Sequence, residues 1–179
     1  MAIIKLTSSP SAAIGSKQIP EVRSIDALEN ALRARGLGQY PIDVEAVASM
    51  LGLHVVFEPM DDDMSGFLER RPTGWTAGVN AYHHPVRQRF TLAHEIAHFV
   101  LHRDEQREFR DQTFARRAGT RDRIESEADQ FAAQLLMPSS AIAMSIRAGL
   151  RNLNELASAF KVSTLAMRYR LSELRYSLS

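Results

Sequence analysis

The segment from Pro85 to about His102 constrains this chain more than any other. Val86, Phe90, Ala93, Ala97, Val100 and Leu101 recur at helical spacing and lay down one apolar stripe, opened by a proline at the first helical position. His94-Glu95-Ile96-Ala97-His98 lies in the middle of it, at the edge of the stripe. Four residues at about 100° each bring the two imidazoles within about 40° of one another, about 6 Å apart along the axis. Two ligands of one tetrahedral metal need that spacing. Glu95 is rotated away from the pair, where its carboxylate can take a proton from a water that the metal polarises without becoming a ligand itself. The competing reading is a histidine pair on the surface or satisfied within a core, with no chemistry attached.

Composition narrows what can surround this helix. At 179 residues and 45% apolar content the chain is sized for one compact domain and at most a small appendage. It has no cysteine, which excludes a disulfide scaffold and any Cys-based zinc ribbon, so a metal must be held by His and carboxylate. No apolar run exceeds four residues, so neither a transmembrane helix nor the apolar stretch of a signal peptide is expected, and the expected location is the cytoplasm. The net charge of +1 hides an asymmetry: residues 146–179 carry six Arg/Lys and two Asp/Glu, and the remainder is net negative. A polyanionic partner would meet the C-terminal end first.

Around the central helix the pattern reads as α+β, mostly helical. Residues 1–24, rich in Ser and Pro and poor in large apolar side chains, read as a flexible tail. Ser24 caps a helix from Ile25 to Arg35, and Pro41 opens a second with Val44, Val47, Ala48 and Leu51 inward. Three short strands follow, at His54–Phe57, Gly66–Glu69 and Thr76–Asn80, forming a small twisted sheet beside the Pro85 helix. Residues 103–120 are half charged without a helical stripe and read as a long functional or mobile loop. Ile124, Ala128, Phe131, Ala132 and Leu135 mark a further helix ended by Met137-Pro138, and Ser139 or Ser140 caps a shorter one. Leu153–Phe160 and Thr164–Leu174 form a closing helical pair, so the boundaries are a tail 1–24, a core 25–145 and a C-terminal pair 146–179 packed on it.

A third metal ligand has several candidates. His102 continues the series but lies about 12 Å along the axis from His94, too far for one ion to join all three, and reads as structural. The metzincin pattern wants Gly at 101 and His at 104, where this chain has Leu101 and Asp104. Glu125 remains, with Asp129 one turn later: one carboxylate of such a pair can ligate while the other orients a ligand histidine. Glu127 faces away from both and reads as solvated surface.

The stretch Arg87-Gln88-Arg89-Phe90-Thr91-Leu92-Ala93-His94-Glu95-Ile96-Ala97-His98-Phe99-Val100-Leu101-His102, followed by the run from Glu125 to Pro138, resembles the ImmA/IrrE family of bacterial and phage zinc metallopeptidases. Pro41-Ile42-Asp43-Val44, Leu51-Gly52-Leu53, Ser65-Gly66 and Val79-Asn80 extend the resemblance to about residues 40–138. It implies a gluzincin-like site, with His94, His98 and Glu125 as zinc ligands and Glu95 as base. It also implies a substrate: a helix-turn-helix repressor, cleaved to switch on phage, mobile-element or stress genes.

Residues 156–171 resemble a helix-turn-helix themselves, with Arg168, Arg170 and Arg175 on the second helix and Lys161 at the turn position usually held by Gly. Relatives commonly end in such a pair packed on the core, so substrate docking or a structural role is favoured over direct DNA binding. Candidates for a donor to the reaction's oxyanion are Tyr82, His83, His84, Arg116 and Arg117, while the single Trp75 reads as packing. The alternative function is a zinc-containing toxin-antitoxin or regulatory protein that binds a repressor or DNA without proteolysis. Glu95 argues for the enzyme, since a purely structural site has no use for it.

Overall fold

The computed structural model of the protein describes residues 21–112 and 120–176. Two helices lead: α1 (Ile25–Ala34), whose Ser24 cap accepts from the Ala27 amide, and α2 (Val44–Met50), capped in the same way by Asp43 through Ala46. The second helix is thus opened by its Asp43 cap and starts at Val44, not at Pro41. Strands β1 (His54–Glu58), β2 (Met64–Arg71) and β3 (Gly74–Asn80) come next, then helix α3 (Pro85–His102). A fourth strand, β4 (Glu108–Gln112), occupies part of the stretch expected to be a loop. Helices α4 (Thr120–Leu136), α5 (Ser139–Arg147), α6 (Leu153–Phe160) and α7 (Thr164–Glu173) complete the described chain. Neither serine caps α5: its N-cap residue is Pro138, with no side-chain bond.

The architecture is α+β with one mixed sheet, ordered β1-β3-β2-β4. β1 runs parallel to β3, whereas β2 is antiparallel to both β3 and β4. β4 carries a single apolar residue, Phe109, paired with Leu68 of β2, so both side chains point to the same face. That face meets α3, which lies between the sheet and α4. Every residue from Thr91 to Val100 is buried as a result, well beyond the one-sided stripe visible in the sequence.

Two details fix how closely these layers approach. Gly66 of β2 passes α3 so tightly that a Cβ there would stand 2.5 Å from Thr91 Cγ2, 2.6 Å from the Gly78 carbonyl and 3.0 Å from Glu95 Oε1. On the sheet's other face Phe67 lies across Gly78, beneath the guanidinium groups of Arg71 and Arg110.

The C-terminal pair is part of the same core. Leu156, Phe160, Met167 and Leu171 are buried, and Phe160 packs on Tyr40 with ring centroids 6.0 Å apart. Lys161, between α6 and α7, adopts the left-handed conformation (φ 51°, ψ 49°) that the turn requires, although it is not glycine. Arg170, read from sequence as one of three basic groups on the second helix, is turned inward: 5% exposed, its Nε donates to the Met137 carbonyl at the end of α4. Arg168 and Arg175 remain exposed.

Residues 21–24 do not belong to the expected tail. Val22 is 3% exposed, Arg103 donates to its carbonyl, and Arg23 pairs with Asp104, so residues 21–24 belong to the folded body. Residues 1–20 lie outside those described. Trp75 packs edge-on against Phe99 in the core, as its sequence position implied. No helix among the described residues is long and apolar enough to cross a membrane.

Candidate metal centre

Helix α3 delivers His94 and His98 to one edge, and α4, packed against it, delivers Glu125 and Asp129. His94 Nε2 and His98 Nε2 lie 2.9 Å apart, and Glu125 Oε2 stands 3.2 Å from the first and 3.5 Å from the second. Among the described residues, these three make up the His/Cys/Asp/Glu group able to hold a metal, with all ligand atoms within 4.8 Å of one another. In a tetrahedron with bonds of about 2.0–2.2 Å the ligand atoms sit about 3.3–3.6 Å apart. An ion therefore fits between these three atoms after opening the histidine pair by a few tenths of an ångström.

Protonation supports the same assignment. Asp129 Oδ1 lies 3.0 Å from His94 Nδ1, so that nitrogen is the donor and Nε2 keeps its lone pair for the cluster. His98 is almost fully buried, and burial, partly opposed by Glu125, depresses its pKa to about 4, which leaves the ring neutral at pH 7. Glu125 has the opposite balance. Burial pushes its pKa up, but the adjoining ring nitrogens of His94 and then His98 outweigh this and hold the carboxylate well below its ordinary range. Two neutral imidazoles and one ionised carboxylate, without sulfur, are a donor set suited to zinc.

Glu95 does not join the cluster. It is 0% exposed and directed at the seam between α3 and β2, where Gly66 leaves room for its carboxylate. The side chain thus lies against β2, next in sequence to His94 but turned away from the cluster.

Two residues near the site were misread or missed in the sequence. Glu127 is more than solvated surface: its Oε2 accepts from His102 Nε2 at 3.0 Å and its Oε1 from Arg123 at 2.6 Å, and the first of these bonds is the chief cause of its lowered pKa. Phe109 of β4 stacks on His98, with ring centroids 4.5 Å apart and an interplanar angle of 17°. One apolar residue in a charged stretch carries no period, so only the pairing of β4 with β2 reveals it.

Of the weighed oxyanion donors, His84 is a helix cap whose Nδ1 accepts from Val86, and Tyr82 is exposed beside Met60 and Phe67. His83 lies in the turn before α3, and Arg116 and Arg117 lie outside the described residues. Beside the centre, a groove of about 850 Å³ runs between the start of α3, α4 and α7, lined by Phe90, Asp129, Ala133, Leu165 and Tyr169 among others.

No curated protein matches the chain. The Peptidase_M78 family model, described as the IrrE N-terminal-like domain, matches residues 48–172, a span that includes the two helices of the candidate metal centre and nearly all of the C-terminal pair. With that match covering well over half of its length, this chain belongs to the IrrE N-terminal-like family of peptidases.

Proposed function

We propose that the protein is a zinc-dependent endopeptidase that cleaves a helix-turn-helix repressor and so derepresses phage, mobile-element or stress genes. The observation that carries the enzymatic part is the convergence of His94, His98 and Glu125, with Glu95 buried next to the cluster and not in it. A zinc ion held by the three ligands supplies Lewis acidity toward water and toward the scissile carbonyl. Asp129 holds the His94 ring with Nε2 inward. Glu95 accepts the proton that water gives up as it attacks and passes it to the leaving amine nitrogen. Among the described residues β4 is an edge strand of the sheet, beside His98, on which an extended peptide can be fixed by main-chain hydrogen bonds.

The repressor substrate rests on family membership and on the basic C-terminal segment, whose exposed Lys161, Arg168 and Arg175 favour an acidic patch on the partner. Such a target places the reaction in the cytoplasm. Glu95→Gln tests the reading: it keeps volume and removes the base, so zinc content and folding should persist while proteolysis falls by about 10²–10⁴-fold. Used as bait, this variant should retain a DNA-binding protein that the wild type cuts at one or a few bonds, and retention should weaken as salt rises. Gene regulation undiminished in Glu95→Gln would identify a zinc-containing binding protein instead. Equal cleavage of unfolded casein would identify a general peptidase.

A further inference from the structure

Beyond the ligands, α3 and α4 carry a second chain of polar groups. His98 Nδ1 lies 3.2 Å from His102 Nδ1, and His102 Nε2 lies 3.0 Å from Glu127 Oε2. Arg123 grips the other oxygen of Glu127 from one turn earlier. Both rings are about 1% exposed, and Phe109 stacks on the first and tilts against the second, with centroids 6.2 Å apart for His102.

Two nitrogens at hydrogen-bond distance can share only one proton, so the direction of the chain is decided by its ends. At one end, His98 turns Nε2 toward Glu125 and His94, where a ligand needs a lone pair, so its proton sits on Nδ1. His102 must then accept at Nδ1 and carry its own proton on Nε2. At the other end stands Glu127, an acceptor whose second oxygen accepts from Arg123. One proton arrangement satisfies every group with both rings neutral.

We propose that His102 and Glu127 are positioning residues for the metal centre: together they lock the tautomer and ring orientation of His98, as Asp129 does directly for His94. The two ligand histidines are then oriented by different means, the solvent-side one by a carboxylate and the inner one through a second imidazole. The separation of Glu127 from the ligands, which made it look like surface, is the distance one imidazole spans. A hydrogen-bonded partner of this kind is worth about 10–100-fold in metal affinity.

The inference rests on His98 being a metal ligand, and the test separates the two claims. Zinc affinity is measured by chelator competition for wild type, His102→Phe, His102→Asn and Glu127→Ala. Ring-nitrogen chemical shifts of the zinc-free and zinc-loaded wild type report the tautomers. The expected result is a protonated Nε2 on His102, a loss of about 10–100-fold in zinc affinity for His102→Phe, and a smaller loss for Glu127→Ala. His102→Asn, whose carbonyl oxygen can still accept from His98, should recover part of that loss, which a purely packing role for His102 would not give. Should the His102 variants not fold, the half-exposed Glu127 and the wild-type tautomers decide the matter. A proton on Nδ1 of His102, or wild-type zinc affinity in Glu127→Ala together with no rescue by Asn, overturns the proposal while leaving the metal centre standing. Absence of zinc binding by the wild type overturns both.

Discussion

Glu95 and Gly66 face each other across the seam between α3 and β2, and each explains the other. A carboxylate with no exposed surface needs a neighbour that takes up no room, and a glycine in a strand interior needs a reason to be there. Gly66→Ala should therefore cost about 1–3 kcal/mol in chemical denaturation, because two of the atoms that the new methyl meets are backbone and a β-branched methyl. It should also lower kcat for proteolysis while zinc content stays at the wild-type value. Unchanged kcat would show that the position of Glu95 does not depend on β2. At this scale the sequence already put His94 and His98 on one helix face with Glu95 turned from them, because a four-residue repeat on a helix is geometry written in one dimension. Glu127 and Arg170 were misread for a shared reason: a charged side chain reads as solvent-facing unless its partner is known. Their partners, His102 and the Met137 carbonyl, are 25 and 33 residues away.

The elements that present the site differ in how they announce themselves. α3 has its apolar stripe, cap and proline, all local, and its observed limits coincide with the expected ones. β4 has none of these: Glu108-Phe109-Arg110-Asp111-Gln112 is a strand only because β2 pairs with it, with a bulge between Met64 and Gly66. Its one apolar side chain is nevertheless costly to lose. Phe109→Ala should destabilise the protein by about 3–5 kcal/mol, since it opens a cavity over the His98 and His102 rings, and urea titration measures this directly. For α4 the expectation is a graded series in zinc affinity. Asp129→Ala should cost about 10–100-fold, and Glu125→Ala more than that, because it removes a ligand and not a partner of one. If Glu125→Ala and Asp129→Ala are equal, the assignment of ligand and orienting carboxylate on α4 is wrong.

On the scale of the whole molecule, the C-terminal pair was legible as two helices with a turn, down to the left-handed residue at 161, but its depth in the core was not. Basic residues there invite a surface reading, whereas Leu156, Phe160, Met167 and Leu171 are buried. At about 1.5–3 kcal/mol each, these side chains are together comparable with the entire stability of an ordinary domain. Ending the chain after Ala148 should thus abolish cooperative thermal unfolding and expose apolar surface to a dye such as ANS. A truncated protein that still melts cooperatively and holds zinc would mean that the pair is an appendage. The guanidinium of Arg170 gives this attachment a mechanical character. Its Nε ties α7 to the carbonyl of Met137, the residue that follows α4, about 12 Å along the helix axis from Asp129. Leu165 and Tyr169 of α7, which line the groove beside Asp129, therefore sit on a helix fastened just past the end of the one that carries Glu125 and Asp129, so a partner seated in that groove meets both helices at once.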